Sequence, residues 1–103
     1  MLITVFRSRL NSETLEEYQS MATQLSKLVA EIPGYISHKG FVANDGERVT
    51  IVEFSSEEGM RAWAKHPLHV EAKKKGRSSL FTEYHVQVCK VLRDSAGSGH
   101  QRN

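Results

Sequence analysis

The segment Trp63–Arg77, with the sequence WAKHPLHVEAKKKGR, holds the residues of this chain that are best suited to chemistry. It contains the only tryptophan and two of the five histidines. An imidazole titrates near neutral pH, and here it is close in sequence to the largest apolar ring, which is the combination that a small-molecule pocket needs. We therefore expect any reaction to take place against this segment.

His69 is the strongest candidate for a catalytic base. Trp63 precedes it in the same segment and Ala72 follows it by one helical turn, so we expect the imidazole to point into a pocket beside the indole. A neutral imidazole in that place could accept a phenolic proton. His66 is a second catalytic candidate, although its position before Pro67 fits a cap at a helix start equally well.

Four further residues are expected to bind substrate. Trp63 and Met60 share the apolar side of the preceding helix and would form a wall of the cavity. Arg77 would pair with an acidic group at the rim. His85 shares a strand face with Glu83 and would reach the inside of a barrel, although a solvated cross-strand pair explains the same spacing.

The sequence favours neither a metal site nor a disulfide. His66 and His69 are three residues apart, but no cysteine or carboxylate joins them at the spacing of a zinc motif. Zinc needs at least a third protein ligand. Cys89 is the single cysteine, which excludes an internal disulfide and a Cys-x-x-Cys site. We expect no metal and no cofactor.

Length and charge indicate one domain without a nucleic-acid or membrane partner. A chain of 103 residues fits one domain. The formal net charge is +2, and the excess of basic residues is concentrated in Lys73–Arg77. A nucleic-acid footprint would instead be a broad basic stripe with aromatic residues to stack on. The N-terminal apolar run is too short for a signal segment and no run is long enough to span a membrane, so we expect a cytoplasmic protein.

Alternating apolar residues predict four strands. They run over Leu2–Leu10, Tyr35–Ala43, Arg48–Phe54 and Leu80–Leu92. The turn Asn44-Asp45-Gly46 joins the middle two as a hairpin, because these residues tolerate positive φ. Three strands carry apolar residues on both faces, which predicts that helices cover one face of the sheet and a second copy of the chain covers the other.

A helical apolar stripe predicts the first helix. It begins between residues 12 and 14, with Thr14 and Glu17 as a capping box. It ends at Ile32, because the following Pro33 disfavours helical geometry there.

The second helical segment is predicted to be divided. Ser55 and Glu58 form a capping box at its start. Pro67 ends the first part and suits the first position of a new helix, which stops at Gly76. Gly59 inside the first part indicates either a loose turn or a closely packed neighbour.

The predicted order gives an α+β, ferredoxin-like βαββαβ fold with a four-stranded antiparallel sheet and helices on one face. The domain is expected to occupy residues 1–93, and the tail 94–103 is expected to be disordered because it lacks apolar anchors. Burial of the second sheet face predicts a homodimer, which forms a dimeric α/β barrel.

The chain also resembles the antibiotic biosynthesis monooxygenase domain family of the dimeric α/β-barrel superfamily. The resemblance covers roughly residues 1–92. It rests on Pro33-Gly34-Tyr35, the Gly46 hairpin, Trp63-x-x-His66-Pro67-x-His69, Ala72, Gly76-Arg77 and the closing Tyr84 strand. The resemblance implies the same fold and, as in the cofactor-free members, oxidation of an anthrone-like aromatic by O₂.

Residue by residue, the resemblance implies a pocket wall at Trp63 and a changed base. The anthrone-oxidising members have Asn where this chain has Gly59 and Tyr where it has His69, so the role of base would pass to a histidine. The haem-degrading branch has its haem-ligating His where this chain has Lys73, and an Asn on the first strand where residues 2–10 contain none. Both differences disfavour haem.

These observations predict a cofactor-independent monooxygenase that oxidises a small phenolic, quinol or anthrone-like aromatic with O₂. Two alternatives stay open. The loss of the family's Asn and Tyr favours a non-catalytic dimeric protein that binds a small ligand. An acid/base isomerase would use the same histidines without O₂.

Overall fold

Strands and helices follow one another in the predicted order in a computed structural model of the chain, which describes residues 1–97. The strands are β1 (Leu2–Leu10), β2 (Tyr35–Val42), β3 (Arg48–Phe54) and β4 (Phe81–Lys90). The helices are α1 (Leu15–Val29), α2 (Glu57–Lys65) and α3 (Pro67–Lys75). A 3₁₀ turn at Ser12–Thr14 precedes α1, and a π-helical turn at Gly76–Leu80 follows α3.

The strands form one four-stranded antiparallel sheet in the order β2-β3-β1-β4. In the centre, Val5 of β1 lies opposite Ile51 of β3 on one side and Gln87 of β4 on the other. β2 and β3 pair as the predicted hairpin, with Gly46 in the turn at a φ of 92°. This is the ferredoxin-like topology that the sequence predicted.

The helices pack on one face of the sheet. Phe54 on β3 is fully buried and packs in a core with Val29 of α1 and Trp63 of α2. Residues opposite one another on neighbouring strands share a face, so Thr4 and Val52 lie on this helix-covered face. The other face carries apolar side chains that are only partly buried: Ile3, Val5, Val49 and Ile51.

The first helix begins differently from the predicted capping box. Asn11 caps the 3₁₀ turn, because its Oδ1 accepts a hydrogen bond from the backbone N–H of Glu13 at 3.0 Å. The Thr14 hydroxyl makes no cap and donates instead to the Ser79 carbonyl at 2.9 Å, which ties the start of α1 to the π-helical turn. The prediction that Thr14 and Glu17 form a capping box is therefore wrong.

α2 is capped by Ser56 and not by the predicted Ser55. The Ser56 Oγ accepts a hydrogen bond from the N–H of Gly59 at 3.2 Å. Adjacent serines offer the same capping chemistry, so the sequence alone does not distinguish them.

The ends of other elements also differ by a few residues. α1 ends at Val29, and Ile32 lies in the following turn, where its N–H donates to the Val29 carbonyl at 3.1 Å. Leu80 belongs to the π-helical turn, so β4 is shorter than predicted at both ends.

The C-terminal residues that the structure describes, 91–97, belong to neither a helix nor a strand. The rest of the predicted tail, 98–103, lies outside the described residues. The division into a domain at 1–93 and a disordered tail at 94–103 stays a prediction. Within residues 1–97, no helix is both long and apolar enough to cross a membrane.

Candidate functional site

His69 on α3 stacks on the indole of Trp63 from α2. The two ring centroids are 4.2 Å apart and the ring planes are inclined by 14°. Pro67 explains this arrangement, because it cannot continue α2 but occupies the first turn of α3. His66 between the helices has an extended backbone, with φ −60° and ψ 130°, so the chain turns there and brings the two rings face to face.

One hydrogen bond determines which nitrogen of His69 can act as a base. Its Nδ1 lies 3.0 Å from the carbonyl oxygen of Trp63. A carbonyl can only accept, so Nδ1 carries the proton and Nε2 of the neutral ring carries the lone pair. The same carbonyl accepts the backbone N–H of His66 at 3.1 Å, which fixes the junction between the helices.

Burial lowers the pKa of His69 from its ordinary value of 6.5. The loss of hydration of the imidazolium is the largest cause. The hydrogen bond to the Trp63 carbonyl opposes this change, whereas the positive charge of Lys73 lowers the pKa further. His69 is therefore uncharged at neutral pH, with Nε2 as a proton acceptor.

A cavity of about 500 Å³ lies between the helices and the sheet. Its volume falls within the range of roughly 300–1,000 Å³ that is typical of small-molecule sites. Four predicted site residues line it, namely His69, Trp63, Met60 and Arg77. Apolar side chains from the sheet and from α1, such as Val52 and Leu25, form much of the remaining wall.

The other two predicted site residues are not part of this cavity wall. His66 caps α3, because its Nδ1 accepts the backbone N–H of Leu68 at 3.2 Å. The structure thus shows the capping contact that the sequence allowed for His66, and its catalytic role stays a prediction. His85 lies opposite Arg7 on the other face of the sheet, so within one chain it does not join His69.

A second histidine, which the sequence did not identify as a site residue, also lines the cavity. His38 on β2 is held at both nitrogens: the Tyr35 hydroxyl lies 2.6 Å from Nδ1, and Ser26 Oγ lies 3.1 Å from Nε2. Ser26 belongs to α1, and no local motif connects it to His38. His38 pairs with Val52 and therefore lies on the helix-covered face. The register of the predicted hairpin is the one sequence signal that could have indicated His38 as a site residue.

The cavity also has a basic and aromatic side. Its charged lining residues are Arg48, Lys73 and Arg77. The Arg48 guanidinium lies over the Tyr18 ring, 5.3 Å from its centroid. Tyr18 in turn packs edge to face against Phe81, with centroids 6.0 Å apart.

The part of the chain that the structure describes, residues 1–97, contains no group of three His, Cys, Asp or Glu side chains that could hold a metal ion. Cys89 is exposed and lies opposite Ile3, on the face of the sheet that carries Val5.

The fold and the cavity together define a small ferredoxin-like α+β protein with a cavity between its helices and its sheet. The sequence profile of the stress responsive A/B barrel domain matches residues 3–86, and the chain belongs to this family. It is similar to YqjZ, an uncharacterised protein of Bacillus subtilis (strain 168). The two are 33% identical over 89 residues, which are 86% of this chain and 78% of YqjZ.

Solved structures show the same fold. Rv0793 from Mycobacterium tuberculosis matches with a TM-score of 0.81 at 14% identity, over 92% of this chain and 98% of that one. SnoaB, a cofactor-independent oxygenase from Streptomyces nogalater, matches with a TM-score of 0.76 at 15% identity, over 90% of this chain and 94% of that one. An antibiotic biosynthesis monooxygenase of known structure also matches, with a TM-score of 0.76 at 13% identity, so the resemblance in the sequence is confirmed at the level of the fold.

Proposed function

We propose that this protein is a cofactor-independent monooxygenase that oxidises a small phenolic, quinol or anthrone-like aromatic with O₂. The observation that carries the proposal is the position of His69 in the wall of a largely apolar cavity, with its Nδ1 hydrogen-bonded to the Trp63 carbonyl and its pKa lowered by burial. A base with a pKa near or below neutrality, placed beside a bound aromatic, suits general base catalysis. The shared fold of SnoaB, a cofactor-independent oxygenase, supports the proposal.

The reaction begins with proton transfer from the substrate hydroxyl to Nε2 of His69. The resulting anion gives one electron to O₂, and the two radicals combine to form a carbon–oxygen bond. The imidazolium then returns its proton to the peroxide. Loss of the proton on that carbon and cleavage of the O–O bond give a carbonyl group and water. The substrate supplies all four electrons, so this balance requires no cofactor.

The protein contributes position and environment to these steps. The stack on Trp63 holds the imidazole in one orientation, and Met60 with the neighbouring apolar wall excludes water from the anion. Arg77 lines the wall, which supports a role for its guanidinium in stabilising negative charge as it develops.

The proposal is tested by O₂ consumption of the purified protein without added metal, over a panel of hydroquinones and anthrones. We expect the variant His69→Gln to lower kcat/KM by at least about tenfold, because general base catalysis contributes roughly 10²–10⁴-fold. Glu71→Gln, on an exposed residue of the same helix, is the matched control and should leave the rate unchanged. Full O₂ uptake by His69→Gln would remove His69 from the mechanism. Saturable aromatic binding without any O₂ uptake would favour a ligand-binding protein instead.

The proposed working unit is a homodimer in the cytoplasm. Its support is the second face of the sheet, where Ile3, Val5, Val49 and Ile51 are only partly buried in one chain. Pairing of this face with a second copy would bury these side chains and leave the cavity on the helix side accessible to substrate.

A further inference from the structure

We propose that the ligand of the cavity is an aromatic acid, bound through its carboxylate by the basic side of the wall. This inference refines the substrate class of the proposed oxygenase and rests on the cavity of that proposal. None of the chemical steps of the proposed oxygenase requires a carboxylate, so the oxygenase proposal and the aromatic-acid proposal can fail separately.

The charge of the residues that line the cavity is the first observation that favours an anionic ligand. Among the cavity-lining residues of the described chain, every charged side chain is basic and none is an Asp or a Glu. The three cations are Arg48, Lys73 and Arg77. A cleft lined by one sign of charge attracts a ligand of the opposite sign.

These cations also lack carboxylate partners among the described residues, 1–97. Arg7, Arg9 and Arg61 each form an ion pair with a carboxylate, at 2.9, 2.9 and 2.8 Å. Within residues 1–97, none of the three cavity cations forms such a pair. Lys73 Nζ already donates to the Ala64 carbonyl at 2.9 Å. The guanidinium groups of Arg48 and Arg77 form no ion pair within residues 1–97, so these two are the groups that a ligand carboxylate would bind.

The positions of the arginines fit a flat anionic ligand. Arg48 lies over the face of Tyr18, which leaves the N–H groups at the edge of its guanidinium for a carboxylate. Tyr18 continues into an aromatic cluster through Phe81, whose ring packs on Phe6 with centroids 5.2 Å apart. Lys73 near the end of α3 and Arg77 in the following π-helical turn both line the cavity. A ring system bound between these side chains would carry its acidic group towards the arginines.

Calorimetric titration with 2-naphthoic acid and its neutral analogue 2-naphthamide tests the inference. At about pH 8 the acid is ionised and the amide is not. We expect the acid to bind about tenfold more tightly, since a charge-assisted contact contributes at least that factor. The difference in affinity between the acid and the amide should decrease when NaCl is raised from about 0.05 M to about 0.5 M, because salt screens the attraction between the carboxylate and the basic side chains.

Single substitutions identify the groups responsible. Arg48→Gln and Arg77→Gln should each weaken binding of the acid by about fivefold and leave binding of the amide unchanged, which also shows that the cavity is intact. Lys74→Gln is the control, because Lys74 neighbours Lys73 but lines a different hollow between α1 and α3.

Equal or tighter binding of the amide would overturn the inference, and so would no binding of either compound. O₂ uptake without any preference for the acid would leave the oxygenase proposal standing alone. Preference for the acid without O₂ uptake from any substrate would contradict the oxygenase and leave the aromatic-acid site.

Discussion

Three features of the surroundings of His69 control different properties of its ring. The Trp63 carbonyl fixes the tautomer, the stacked indole fixes the orientation, and burial disfavours the charged form. An exposed histidine would exchange between tautomers and would be half protonated near its ordinary pKa of about 6.5. Together, these three features hold the unprotonated Nε2 of His69 in a fixed position.

His38 is fixed by the same kind of contact but at both nitrogens. With Tyr35 at Nδ1 and Ser26 at Nε2, its ring is held between β2 and α1. Such a histidine is less free to take a proton from a ligand than His69, and it supports the wall of the cavity.

We predict that Tyr35→Phe lowers the free energy of unfolding by about 1 kcal/mol, because His38 Nδ1 loses its partner in a partly buried place. Urea denaturation measures the change. Tyr84→Phe removes a hydroxyl from a largely exposed ring on β4 and should have little effect. Equal stability of the two variants would show that the Tyr35–His38 bond contributes nothing.

The helices α2 and α3 act as the frame of the site. Pro67 separates them, and close packing holds α2 against the turn before β2. A Cβ atom at Gly59 would lie 2.6 Å from the Pro33 carbonyl oxygen and 3.3 Å from the Phe54 ring. The glycine that the sequence left ambiguous is thus required by a close approach, and an Asn there would move the helix.

Gly59→Ala should destabilise the fold by about 1–3 kcal/mol through overpacking. Alanine is about 1 kcal/mol better than glycine inside a helix, so helix propensity alone predicts the opposite sign. Gly40→Ala is the matched control, since its Cβ would approach Thr50 Oγ1 at 3.9 Å, an ordinary contact. A more stable Gly59→Ala protein in thermal unfolding would contradict the packing explanation.

The types and order of the elements could be predicted because their signals are local. The Gly46 turn, the break at Pro67 and the apolar periodicities each act over a few residues. Trp63 and His69 could be paired for the same reason. The contact of Ser26 with His38 depends on how α1 packs on β2, and no spacing rule contains that information.

The whole molecule has two different sheet faces. One face is packed against the helices, and the cavity lies between that face and the helices. The other has a partly buried apolar centre around Val5 and Ile51, and at one end the ion pairs of Arg7 with Glu47 and of Arg9 with Asp45. An apolar centre beside charged pairs is the usual composition of a protein interface.

We predict that light scattering at micromolar concentration gives twice the 11.6 kDa mass of one chain. Ile51→Lys should give the mass of one chain, because a dimer would bury two charges without partners. Gln19→Lys, on an exposed position of α1, adds the same charge away from the sheet and should stay dimeric. A monomeric wild-type protein would contradict the proposed assembly.

The pH dependence of kcat/KM for O₂ uptake tests the role of His69 most directly. The base acts only when uncharged, so activity should be highest at pH values well above the His69 pKa and should fall as the pH decreases through it. Burial places this pKa below the ordinary value of 6.5. In His69→Gln, the residual activity should lose this acidic limb. The same limb in both proteins, or a wild-type midpoint above 6.5, would contradict the account.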